Sequence, residues 1–458
     1  MTRENTKQKE CPLNTVCHKQ LSFANLDSRS VVAEFSAGPM TSDGGSLLLR
    51  EIDRATDLSS SMSRALSDRR DQAKVHHGQE ELLRQRLFAI AMGYEDGNDH
   101  QSLRFDPGLK TAVGRLPETD PALASQPTLS RFENRVGNCE LRRLSDALID
   151  AYVAAHPAPR KVIVLDMDAT DDPVHGLQQL SFFHGYYDQY MLHPLLIFDG
   201  LTGFPVAAVL RAGNAHASKG AAAILKRIIR RLKHAYPGAT ILVRADAGFA
   251  VPAVYRLLER EKVKYTIGLI TNDRLRKRAA NLVIKAERQF AKTGAKQRLF
   301  GSFYHRAGSW QRSRRVIAKV ERLSRGLNTR FVVTNILESA AGIYDGIYTG
   351  RGDAENRIKE LKVHLKADRL SCTRFQANQF RLLLHTFAFV LFWHLRRSLA
   401  GTELAAATVD TLKLKLLKVG ARVVQSVRRI LFTMPRAYPY QRLFATALQN
   451  IRQMPLRC

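Results

Sequence analysis

The feature that most constrains this chain is an alternation between Lys161 and Ile270, where short β-branched runs are separated by turns and amphipathic helical stretches. Val162-Ile163-Val164-Leu165 is apolar at consecutive positions, which suits a strand covered on both faces. Leu195–Phe198 and Val206–Leu210 read as further strands, with Asp199-Gly200 to Gly203 turning between them. A helix from Ser218 to His234 leads to a strand at Thr240–Arg244. A second helix, Val251–Lys262, leads to a strand at Tyr265–Ile270. Strands first and alternation afterwards predict an α/β domain around a buried sheet. Pro157-Ala158-Pro159 marks its start.

The flanks differ in character. Residues 1 to about 40 read as a polar arm with little periodicity. Gln79–Met92 places Leu82, Leu83, Leu87 and Ile90 on one stripe of a helix. Pro127 to Arg135 starts a short helix with Ser130, Arg131, Asn134 and Arg135 outward, which reads either as a recognition helix for the DNA major groove or as an ordinary surface helix. Glu140–Ala154 is another amphipathic helix. Beyond Thr271 the alternation breaks into a basic stretch with β-like pieces at Arg298–His305 and Arg315–Val320, before a buried strand at Arg330–Ile336. The chain then reads as helical from Ile347 to Arg397 and again from Leu404 to Phe432. These changes predict five segments: a helical N-terminal region (1–155), the first part of a core (156–272), a basic β-rich insertion (273–329), the second part of the core (330–400) and a basic helical C-terminal region (401–458).

The charge points to a polyanion. The 458 residues carry 71 Lys and Arg against 42 Asp and Glu, a net charge of +29. Residues 261–330 and 356–458 each hold a net +15, so the rest of the chain is close to neutral. A membrane surface is the weaker reading. The start, MTRENTKQKE, shows no apolar segment of a signal peptide, and Leu382–Leu395 is shorter than the roughly 20 residues a spanning helix needs. That run predicts a buried core helix. The five cysteines (Cys11, Cys17, Cys139, Cys372, Cys458) form no CxxC pair, and scattered thiols fit a cytoplasmic protein.

Acids at the ends of buried strands are costly unless something positive meets them. The first strand runs into Asp166-Met167-Asp168-Ala169-Thr170, with Asp166 and Asp168 on one face. The strand from Thr240 runs into Asp246-Ala247-Gly248-Phe249. A third acid follows on a helix. At 100° per residue, Tyr348, Arg351, Glu355 and Lys362 fall within an arc of about 60°. Such a stripe is also what simple i,i+4 ion pairing gives. His175, His184 and His193 lie near the first acids and read as hydrogen-bonding residues.

Tyr348-(2)-Arg351-(3)-Glu355-(6)-Lys362 resembles the Tyr/Arg/Glu/Lys signature of bacterial insertion-sequence transposases of the DDE superfamily, with no spacing error. Asp168, before Ala169-Thr170, and Asp246 resemble that family's first and second aspartates. The resemblance covers roughly Val162 to Arg397. It implies an RNase H-like catalytic domain interrupted by a mainly β insertion, flanked by helical N- and C-terminal regions. It implies Asp168, Asp246 and Glu355 as catalytic and metal-binding carboxylates, with Asp166 as the alternative first ligand. Tyr348, Arg351 and Lys362 would then hold DNA phosphates.

Cutting a phosphodiester and transferring the strand needs both the entering and the leaving oxygen stabilised. Two Mg²⁺ ions about 3.5–4 Å apart, or Mn²⁺ in their place, supply this. Trp310 reads either as a platform for an unpaired base or as the core of a small β-domain. Arg131 belongs to the candidate recognition helix. The implied partner is double-stranded DNA, both terminal inverted repeats and target, bound by a homodimer and no membrane. A transposase-derived DNA-binding protein and an RNase H-like nuclease without strand transfer are the alternatives.

Overall fold

The computed structural model describes residues 20–455. Cys11, Cys17 and Cys458, and residues 1–19 of the expected polar arm, lie outside the described residues. The alternation seen in the sequence builds β1 (Val162–Ala169), β2 (Leu195–Asp199), β3 (Pro205–Val209), helix α1 (Ala221–Ala235), β4 (Thr240–Ala245), helix α2 (Pro252–Arg260) and β5 (Lys264–Leu269). Across the sheet these strands lie in the order β3-β2-β1-β4-β5. β4 runs parallel to both β1 and β5, while β2 pairs antiparallel with β1 and β3 with β2. The three parallel strands therefore present their C-terminal ends along one edge of the sheet.

The basic segment, expected as a mainly β insertion, combines one helix with three strands. It opens with a 21-residue helix, α3 (Asp273–Thr293), capped by the Asn272 side chain. Ala279 and Ala286 are its buried small residues, so it packs closely while its Lys and Arg residues stay outward. β6 (Gln297–His305), β7 (Arg314–Leu323) and β8 (Gly326–Thr334) then extend the same sheet, β8 pairing antiparallel with β5. Eight strands thus form one sheet rather than a sheet with a separate β-body.

Trp310 is 4% exposed, edge-on to Tyr255 of α2, with the Arg314 guanidinium over its ring. This corrects the base-stacking alternative. The indole is a core group beneath α2, out of reach of an unpaired base.

Two flanking expectations also change. Residues 20–41 are not a featureless arm. Leu21–Leu26 and Arg29–Ala33 form an exposed hairpin, and Met40–Thr41 is a short strand. The C-terminal region is only partly helical. Ala421–Gln425 and Ile430–Thr433 pair as strands, the former also with Met40–Thr41. Ala421, Val423 and Gln425 alternate with more exposed neighbours, a period of two that the leucine-rich helical turns before Lys418 obscure. The helical stretch after Ile347 is interrupted between Leu365 and Arg374.

The apolar run at Leu382–Leu395 lies in helix α4 (Phe375–Ser398), which is buried on nearly every face. One continuous core runs from Leu48 to Ile451 and includes this helix. The N-terminal helices therefore share their core with the rest of the chain. At the junction, Glu133 is 1% exposed between two guanidinium groups: Arg86 Nε donates to it at 2.7 Å and Arg381 Nε, from α4, at 2.6 Å. Burial would raise this carboxyl, but the two arginines hold it below the usual range. Among the described residues no helix is long and apolar enough to cross a membrane.

Glu133→Gln leaves Arg86 and Arg381 buried without a counter-charge and should cost about 3–5 kcal/mol in chemical denaturation. The triple replacement Arg86→Met, Glu133→Leu, Arg381→Met should recover most of that loss. Trp310→Ala should cost about 3–5 kcal/mol and leave affinity for DNA unchanged; a loss of affinity at unchanged stability would return the ring to a DNA-facing role.

Candidate active site

The acids meet at the shared edge of the parallel strands. In the β1–β4 register Met167 lies opposite Ala245, so Asp168 and Asp246 follow side by side at the ends of neighbouring strands. Asp246 starts a short 3₁₀ turn, its Oδ1 accepting from Gly248 N at 3.0 Å. Burial pushes Asp168 up to about 6; the charges of Asp246 and Glu355 add to this, and Arg351 opposes it. Burial also raises Asp246, again against Arg351. Two half-desolvated carboxylates side by side are an unstable arrangement unless positive charge is supplied.

Glu355 arrives from the segment after β8. This segment is not one regular helix. It winds as a wide π-type turn over Gly342–Tyr348, tightens to a 3₁₀ turn over Thr349–Arg351, becomes α-helical over Gly352–Lys359 and widens again over Glu360–His364. The assumption of 100° per residue therefore fails at both ends. The irregular turns still bring the four singled-out side chains to the acids. Such π turns are frequent at functional sites.

Arg351 stands at the centre. Its Nη1 lies 2.9 Å from Asp168 Oδ2, and its Nη2 lies 3.1 Å from Glu355 Oε1. Burial alone would depress this guanidinium, but Asp168, Tyr348, Glu355 and Asp246 hold it above the usual arginine value. Tyr348 is half-buried beside it, and a Cβ on Gly268 at the end of β5 would come within 2.7 Å of the Tyr348 hydroxyl. Glu355 remains 62% exposed. Lys362 Nζ sits 2.7 Å from Asp171 Oδ1 and 3.2 Å from Thr170 Oγ1, just beyond the first acid.

The other acids of the first motif have different surroundings. Asp166 is 1% exposed and grips Arg244 through both oxygens, so it has no free face for a ligand. Asp172 is equally buried, and neither of its carboxyl oxygens has a hydrogen-bond partner. Burial, with Asp368 nearby, pushes it up to about 8.

His193 is buried and contacts Ala215 O at 2.7 Å through Nδ1, a structural hydrogen bond. Arg131 is exposed on the helix Gln126–Asn134, whose Leu129, Phe132 and Glu133 are buried. Its neighbour Arg135 is committed to Asp68 and Gln79.

Sequence reasoning missed Arg244 and the electrostatic influence of His216 on Asp246. An arginine inside an apolar strand, two residues before an acid, was the available signal for Arg244. Among the described residues, no three His, Cys, Asp or Glu side chains stand together as a ready metal-binding group. Arg351 instead bridges two of the three acids. The donors themselves suit a hard divalent cation: carboxylate oxygens only, crowded and underneutralised.

Comparison with curated proteins finds no match. Among solved structures, the chain is similar to the cryo-EM structure of a piggyBac transposase synaptic complex with hairpin DNA. Identity is 10%, the TM-score is 0.44, and the alignment covers 91% of this chain and 83% of that one. A family model described as transposase DDE domain, group 1, matches residues 23–456, nearly the whole length, and the chain belongs to that family of transposase domains.

Proposed function

We propose that this protein cuts the ends of an insertion sequence and joins them to target DNA, using Asp168, Asp246 and Glu355 as the metal-binding carboxylates of an RNase H-like domain. The observation that carries the reading is the Arg351 bridge: one guanidinium neutralises acids delivered by a strand and by a distant helix, beside the second strand-end acid. A site that needs this much positive charge suits Mg²⁺ or Mn²⁺. Two such ions, when bound, would stabilise the entering and leaving oxygens of the phosphodiester. Asp168, Asp246 and Glu355 would hold them, and Asp166, saturated by Arg244, would not.

The chain's own residues supply the rest. Arg351 and Lys362, now paired with Asp168 and Asp171, are placed to transfer to DNA phosphates when the acids are neutralised otherwise. The basic outer surface of α3 and the basic C-terminal region provide sequence-independent grip on the backbone. The N-terminal region, through the helix bearing Arg131, reads the terminal repeats, since base readout needs a few placed side chains rather than net charge. Two copies act together, one at each end of the element.

The test is cleavage and strand transfer of terminal-repeat DNA with Mg²⁺ or Mn²⁺. Asp168→Asn, Asp246→Asn and Glu355→Gln should each lower cleavage by more than about 100-fold with DNA affinity retained, because losing a metal ligand costs more than losing its hydrogen-bonded support. Full activity in any of the three would remove that residue from the site. Cleavage without joining would favour the nuclease alternative. Arg351→Ala and Lys362→Ala should each flatten the dependence of log K on log [salt] by about one unit. Unchanged slopes in both would sink the phosphate role.

A further inference from the structure

The ion pair one layer behind the acids does more than fill space. Arg244 on β4 and Asp166 on β1 lie directly opposite in the parallel register, two residues before Asp246 and Asp168 respectively. Side chains two apart on a strand share a face, so the pair lies beneath the acids on the side that the Glu355 segment covers. The pairing is bidentate, Nε to Oδ1 at 2.5 Å and Nη2 to Oδ2 at 2.7 Å. The remaining donors of the guanidinium reach across to the irregular segment, Nη1 to Ile347 O at 2.9 Å and Nη2 to Gly350 O at 3.0 Å. These two carbonyls flank the point where the wide turn tightens, immediately before Arg351.

Two glycines from separate elements make room for this arrangement. A Cβ at Gly200, in the β2–β3 turn, would overlap Arg244 Nη2 and Asp166 Oδ2. A Cβ at Gly350 would overlap Arg244 Nη1. Neither glycine has a left-handed backbone, so both positions need the missing side chain for space, not for conformation. A buried ion pair contributes little stability beyond an apolar replacement of the same shape. Its four directed hydrogen bonds give it a different use, which is to fix three chain segments at defined distances.

We propose that Arg244, oriented by Asp166, is a positioning residue for the cleavage reaction: it sets where the Tyr348–Glu355 segment begins, and so where Arg351 and Glu355 stand relative to Asp168 and Asp246. The inference rests on the metal-dependent cleavage reading above.

Gly350→Ala tests it without touching either charged group. The added methyl displaces the guanidinium from the two carbonyls, while alanine suits the helical backbone better than glycine. The single-turnover cleavage rate should fall by about 10- to 100-fold, the cost of a small misplacement at a reacting centre, while KM for terminal DNA and the melting temperature stay near wild type. Amide hydrogen exchange over residues 347–355 should accelerate. Gly346→Ala, where nothing lies within 4 Å of the added methyl, is the control and should leave both rate and exchange unchanged. A Gly350→Ala enzyme that cleaves at the wild-type rate overturns the proposal. So does one whose DNA affinity or melting temperature falls in step with its rate. If the wild type fails to cleave at all, the transposase reading fails, and the exchange arm still decides: acceleration confined to residues 347–355 supports the positioning role, and unchanged exchange rejects it.

Discussion

The arrangement depends on one electrostatic constraint: carboxylates held at the ends of adjacent parallel strands, partly removed from water, repel one another and demand a cation. β1 and β4 run in the same direction and in register, so Asp168 and Asp246 emerge together. Solvent solvates them poorly, and burial raises both. Arg351 answers that demand in the protein alone, and its reach to Glu355 draws in a third acid. Arg351, paired with Asp168 and Glu355, spares these strand ends the cost of bare buried charge.

The layers behind the acids support this point. Asp166 and Arg244 tie the two strands to the start of the Glu355 segment. Lys362 is held by Asp171 just past the first acid. Farther out, Glu360 accepts from Arg396 Nη2 of α4 at 2.7 Å and from Val409 N at 3.1 Å, which anchors the far end of the same segment to the buried helix. The segment is thus fixed at both ends by buried ion pairs, while Glu355 between them stays exposed.

Much of this was legible in the sequence because it is local. The apolar run into Asp168, the strand into Asp246 and the buried run at Leu382–Leu395 each declare themselves within ten or so residues. The spacing of Tyr348, Arg351, Glu355 and Lys362 marks one segment, although its π and 3₁₀ turns do not follow from any helical period. What was not legible depends on register or on competing patterns. Arg244 meets Asp166 only because two strands 78 residues apart align. The outward charge of α3 disguised a helix as an irregular basic stretch. Ala421–Gln425 and Ile430–Thr433 were hidden by the leucine and lysine periodicity just before them. Trp310 suits a ligand or a core equally by sequence, and only the packing of Tyr255 of α2 against its ring separates the two.

Under the proposed function Asp168, Asp246 and Glu355 act as one cation-binding centre, in which Arg351 pairs with Asp168 and Glu355 in the protein alone. Anomalous diffraction from the protein with terminal DNA and Mn²⁺ tests it most directly. The account predicts manganese density contacting Asp168, Asp246 and Glu355, with the Arg351 guanidinium moved from Asp168 onto a DNA phosphate. Manganese bound elsewhere, or Arg351 still bridging Asp168 and Glu355 with DNA and metal present, would contradict it.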